Sequence, residues 1–100
     1  MRTIWKFPFE VDDDIEIEMP AYSSILHVES QPQYEAVLGN EVHRKEQPCL
    51  WAIVNSDRPM IKRRFIIVGT GNPMPESHGG HVASFQMHGG KLVWHLFEKA

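Results

Sequence analysis

Apolar and polar residues alternate along most of this chain with a period of two, and almost nowhere with the period of a helix. Trp5, Phe7, Phe9 and Val11 are separated by Lys6, Pro8 and Glu10, which predicts a strand with one buried face. Pro8 has no amide hydrogen to give a neighbour, so this strand belongs at a sheet edge or beside a bulge. Asp12-Asp13-Asp14 makes a polar turn. Ile15, Ile17 and Met19 then alternate with Glu16 and Glu18 up to Pro20, the cleanest amphipathic strand in the sequence. A third strand is predicted over 24–29, with Leu26 and Val28 inward and His27 outward.

From Ser30 to Pro48 the rhythm breaks. Only Tyr34-Glu35-Ala36-Val37-Leu38 has a trace of helical spacing, and Pro32 and Gly39 interrupt the stretch. The expectation is one domain over 1–100 with a long polar loop or insertion at 31–47, and connections of that length usually carry function. Residues 49–55 and 64–68 are apolar on both faces and read as central strands. Ser56-Asp57-Arg58-Pro59 is turn chemistry, and 69–80 is a loop rich in Gly and Pro.

The C-terminal unit is the best defined. Residues 81–88 and 91–98 flank Gly89-Gly90, a two-residue hairpin turn of the primed type. With those glycines as the loop, Met87 faces Leu92, Phe85 faces Trp94 and Ala83 faces Leu96 on the core side, which also takes His81. The other side pairs Ser84 with His95 and Val82 with Phe97. The whole pattern predicts an all-β protein, an antiparallel sandwich or small barrel of about seven short strands.

Composition narrows the function classes. The chain has 100 residues, 42% hydrophobic and 23% charged, which is ordinary for one soluble domain. A pI near 6.0 lacks a basic footprint and argues against direct nucleic-acid binding. The net charge of −3 is uneven: residues 1–50 hold ten acidic groups against four basic, and 51–100 hold three against six. Asp12, Asp13, Asp14, Glu16 and Glu18 form a compact acidic run suited to a basic partner. The single cysteine, Cys49, lies in an apolar run and reads as a small buried hydrophobe, which suits a reducing compartment. The N-terminal residues lack the apolar core of a signal peptide, and no apolar stretch nears the roughly 20 residues that span a bilayer. The host cytoplasm, without membrane contact, is the expectation.

Candidate chemistry is thin. His78, His81, His88 and His95 crowd the last quarter, but zinc needs three or four converging ligands and the hairpin register separates His81 from His88 and His95. No metal and no cofactor is expected. Ser84 opposite His95 has the residue types of a hydrolytic dyad, yet nothing supplies an orienting acid or an oxyanion hole, so no enzyme is expected. Gly69-Thr70-Gly71-Asn72 follows a strand as phosphate loops do, but Pro73 and Pro75 stand where a helix should begin. Trp5, Trp51 and Trp94 sit at inward or central-strand positions, which favours core packing.

Several segments in this order resemble one family: Ile4-Trp5-Lys6-Phe7-Pro8, Glu18-Met19-Pro20, Pro48-Cys49-Leu50-Trp51-Ala52, Val68-Gly69-Thr70-Gly71 and Phe85-Gln86-Met87-His88-Gly89-Gly90. The chain is similar, nearly end to end, to small uncharacterised proteins of tailed phages and prophages of proteobacteria. The resemblance brings no activity and no site residues. It implies that 31–47 is an insertion, because the relatives have only a few residues there.

The expected function is therefore non-catalytic: a phage accessory protein that acts by binding, in the manner of a counter-defence (anti-CRISPR-like) inhibitor of a host protein. Its contact residues are expected either in the loop, at Tyr34, Glu35, Val37, Leu38, His43 and Arg44, or in the acidic run. The alternative is an oligomeric sponge that sequesters a host nucleotide immune signal, with Lys62, Arg63, Arg64, Thr70, Asn72 and His78 as ligand-binding residues. A homo-oligomer would form through the Val82, Val93 and Phe97 face.

Overall fold

The chain folds into β1 (Arg2–Pro8), β2 (Asp14–Pro20), β3 (Ser24–Leu38), β4 (Glu41–Asn55), β5 (Met60–Gly69), β6 (Gly80–Met87) and β7 (Leu92–Glu98), with no helix among the described residues. The computed structural model describes the backbone of residues 1–38 and 41–100, and the side chains of these except 33–44. Two antiparallel sheets, of order β1-β4-β3 and β2-β5-β7-β6, pack face to face. The result is a sandwich and not a closed barrel.

Alternation decides which side chains meet between the sheets. Trp5 and Phe7 of β1 stand opposite Ala52 and Leu50 of β4, and Ile15 and Ile17 of β2 stand opposite Phe65 and Arg63 of β5. Leu50, Ala52 and Val54 from one sheet and Ile17, Met19, Phe65, Ile67, Phe85 and Leu96 from the other form the buried centre. Burying one such side chain contributes about 1.5–3 kcal/mol. Phe9, just past β1, closes on Phe85 edge to face at 5.8 Å and ties the two layers together. Trp51 departs from the expectation of core packing, since it lies on the outer face of β4 against the His27 ring at 5.7 Å.

Three bulges reset the alternation. Ile25 pairs with Ala52 and His27 with Trp51, so Leu26 is an extra residue and is 51% exposed. Val28 is buried and His27 exposed as predicted, but Ile25, not Leu26, packs against the core. On β6 the predicted register holds from Met87↔Leu92 to Ala83↔Leu96, and then Val82 bulges so that His81 faces Phe97. Val82 consequently packs against the core, and His81 moves to the outer face. The expected Val82, Val93 and Phe97 face thus loses Val82 and gains His81.

The segment expected as a polar loop is a strand pair. β3 and β4 are each 15 residues long, and their pairing runs through Gln31↔Gln47, Pro32↔Glu46 and Tyr34↔Arg44 to Leu38↔Glu41. The third bulge falls between Tyr34 and Val37. Pro32 and the register shift between Tyr34 and Val37 break any regular alternation there, so the sequence pattern reads as loop. The side chains of Tyr34, Glu35, Val37, Leu38, His43 and Arg44 lie outside the described residues.

One ion pair trims the core. Arg63 projects inward from β5, and its Nε and Nη2 donate to the two carboxylate oxygens of Glu98, each at 2.6 Å. Its Nη1 donates to the Ser23 carbonyl oxygen, which joins β5, β7 and the turn after β2. The two side chains are only 18% and 28% exposed, so neither charge tolerates loss of the other. We predict that Arg63→Ala lowers stability by about 2–3 kcal/mol, as urea unfolding would measure it. Joint replacement, Arg63→Met with Glu98→Leu, should recover most of that loss, and no recovery would show that the pair itself stabilises the fold.

Candidate functional site

β3 runs alongside β6 and closes the sandwich on that side, whereas β1 and β2, the other outer strands, make no comparable approach. Between them lies an open cleft of about 500 Å³. Its floor is apolar: Phe7 and Phe9 from the β1 side, Ile15 and Ile17 from β2. Its rim carries Glu10, Asp12, Glu16 and Glu18 against one cation, Lys6. The arrangement follows from local sequence. In β2 the isoleucines turn in and the glutamates turn out, while Asp12 Oδ1 accepts the Asp13 amide at 2.7 Å and fixes the turn at the cleft mouth.

The predicted acidic run is therefore divided. Asp12, Glu16 and Glu18 line the cleft; Asp13 does not. Asp14 is held on the outer face by Arg64 at 3.5 Å and Lys99 at 3.6 Å. Glu10 joins the rim without having been predicted. Its signal was faint: it is polar, exposed and next to a strand whose Lys6 and Pro8 mark an edge.

The predicted ligand set is not brought together. Lys62 and Arg64 stand opposite Glu18 and Glu16 on the outer face, and Arg63 is committed to Glu98. Six residue steps of extended chain, roughly 20 Å, separate Arg64 from Thr70. Thr70 and Asn72 instead share a cleft of about 380 Å³ with Lys91 and Trp94 at the other end of the sheet. His78 lies against the Phe97 ring at 5.0 Å. Gly69 permits the close approach of Asn72 and Trp94, because a Cβ there would sit 2.9 Å from Asn72 Nδ2 and 3.0 Å from Trp94 Cζ3.

The Val82 bulge adds His81 to a polar chain across the outer face of β6 and β7. Thr70 Oγ1 lies 2.8 Å from His95 Nε2 in hydrogen-bond contact, and the Thr70 amide donates to the Val93 carbonyl oxygen at 3.1 Å. Ser84 Oγ is in turn hydrogen-bonded to His95 Nδ1 at 2.7 Å and to His81 Nε2 at 3.0 Å. The chain ends on a neutral threonine hydroxyl and not on the carboxylate that orients the histidine of a hydrolytic triad. No group of three or more metal-ligating side chains gathers among the described residues.

Among known proteins, the family described as "Domain of unknown function (DUF7352)" matches residues 1–100, and the chain belongs to that family. No curated protein matches the chain. No solved structure matches it either.

Cys49 stands apart from all these features. It is 1% exposed, and burial pushes its thiol above the ordinary range although Lys6 pulls the other way. A raised folded-state value means that the thiol form stabilises the fold at lower pH. That contribution is lost as pH rises through the raised value, so stability should fall on the alkaline side of the ordinary thiol range. At pH 8, Cys49 should react with a disulfide reagent far more slowly in the native protein than in urea; equal rates would place the thiol at the surface.

Proposed function

We propose that this member of the DUF7352 family is a non-catalytic phage accessory protein that acts in the host cytoplasm by binding a host protein, as counter-defence inhibitors do. The phage affiliation rests on the resemblance of the sequence, and the counter-defence role rests on analogy with other phage genes of this size. The binding role rests on one observation: the sandwich is left open between β1 and β2, with half-buried aromatic and aliphatic side chains below four carboxylates. Apolar surface that the fold leaves uncovered, rimmed by charge of one sign, is the usual form of a protein-binding patch. The rim sets which partners approach, because its carboxylates repel acidic surfaces and steer basic ones.

The test is capture of host proteins on the tagged protein, with Glu16→Lys/Glu18→Lys and a form whose residues 33–44 are replaced by a two-residue turn run in parallel. We predict one partner in stoichiometric amount, held by the native and shortened forms, lost from the charge-reversed form and released by salt. A partner kept by the charge-reversed form and lost on shortening would move the contact to the β3–β4 pair. No partner at all would contradict the binding role.

A further inference from the structure

We infer that the occupant of the cleft is an extended segment of the partner that adds as a fifth strand to the free edge of β2, with lysine or arginine alternating with apolar residues. The inference rests on the binding role proposed for the cleft. β2 pairs with β5 on one side only, so alternate amides and carbonyls of residues 15–19 face the cleft without a strand partner. Unpaired edges of this kind accept an added strand, whose main chain supplies affinity and whose side chains supply specificity.

Register fixes the side-chain pattern. A strand laid beside β2 places alternate residues next to Ile15 and Ile17, over the Phe7 and Phe9 floor, and these must be apolar. The intervening residues lie next to Glu16 and Glu18 on the outer face. Arg64 and Lys62 stand opposite those glutamates but on β5, away from the free edge, and among the described residues only Asp14 is drawn into an ion pair on β2. A basic side chain on the incoming strand therefore meets a carboxylate that still has a free side, and directly opposed opposite charges favour such a pair. A second copy of β2 would meet like charge instead.

The edge of β1 does not compete. Lys6 lies on its outer face and Pro8 removes an amide, two devices that blunt a strand edge, and Lys6 repels a basic segment. The choice between the two walls of the cleft is thus made by charge and by proline.

A heptapeptide in which lysine alternates with valine is the probe, with glutamate alternating with valine as control, followed by amide resonances of the labelled protein. We expect saturable shifts concentrated on residues 14–20, binding weakened at least tenfold in Glu16→Gln/Glu18→Gln, and no response to the acidic control. Both substitutions are on the exposed face, and a circular dichroism spectrum like that of the native chain confirms that the variant folds. Shifts centred on β1 or elsewhere, equal binding by the variant, or no shift at millimolar lysine peptide would overturn the inference. If the peptide fails while a captured host protein still depends on Glu16 and Glu18, strand addition is wrong and the cleft remains the binding surface; if both fail, the cleft is not the site.

Discussion

The buried cluster to which Leu50, Ala52 and Val54 on β4 and Phe65 and Ile67 on β5 all belong is what the rest of the molecule hangs on. These five side chains come from the inner strand of one sheet and an inner strand of the other, and all are at most 4% exposed. Close-packed interiors of this kind tolerate little loss of volume, so the two inner strands set the separation and tilt of the sheets. Everything outside them is attached by edge pairing: β1 and β3 to β4, β2 and β7 to β5, and β6 to β7.

That dependence explains why one side of the sandwich is open. With three strands facing four, the sheets cannot be covered equally on both sides of the inner pair. β3 meets β6, and the His88 amide donates to both Glu46 carboxylate oxygens, at 2.8 and 3.0 Å, which pins the β6–β7 turn to β4. The deficit falls on the β1–β2 side. Phe9 crosses there to reach Phe85, but Phe7 and Ile15 remain half-buried with nothing above them among the described residues. The cleft is thus a consequence of strand number, and its negative rim comes from the residue types of β2 and the turn before it.

Much of this was legible in the chain. Alternation in 5–11, in 15–19 and around Gly89-Gly90 revealed the strands, the amphipathic face of β2 and most of the C-terminal register. Double-sided apolar runs marked β4 and β5 as inner strands, and Pro8 marked β1 as an edge. What escaped depends on relations that no single segment carries. A bulge changes which face a residue joins without altering local composition, so Leu26 and Val82 were each assigned to the wrong side. Polar pairing of 31–38 with 41–47 leaves no hydrophobic period. The cleft itself needs the order of strands in two sheets, and the inward turn of Arg63 needs a Glu98 partner 35 residues away.

Amide hydrogen exchange on the dilute protein alone tests the central claim most directly, namely that the inner strands hold the fold while the β2 edge stays open. The account predicts that amides of 50–54 and 65–68 exchange only through global unfolding, and that the alternate amides of 15–19 pointing away from β5 exchange orders of magnitude faster than their neighbours pointing toward it. Equal protection of both sets on β2 would mean that the edge is already covered, and would contradict an open cleft.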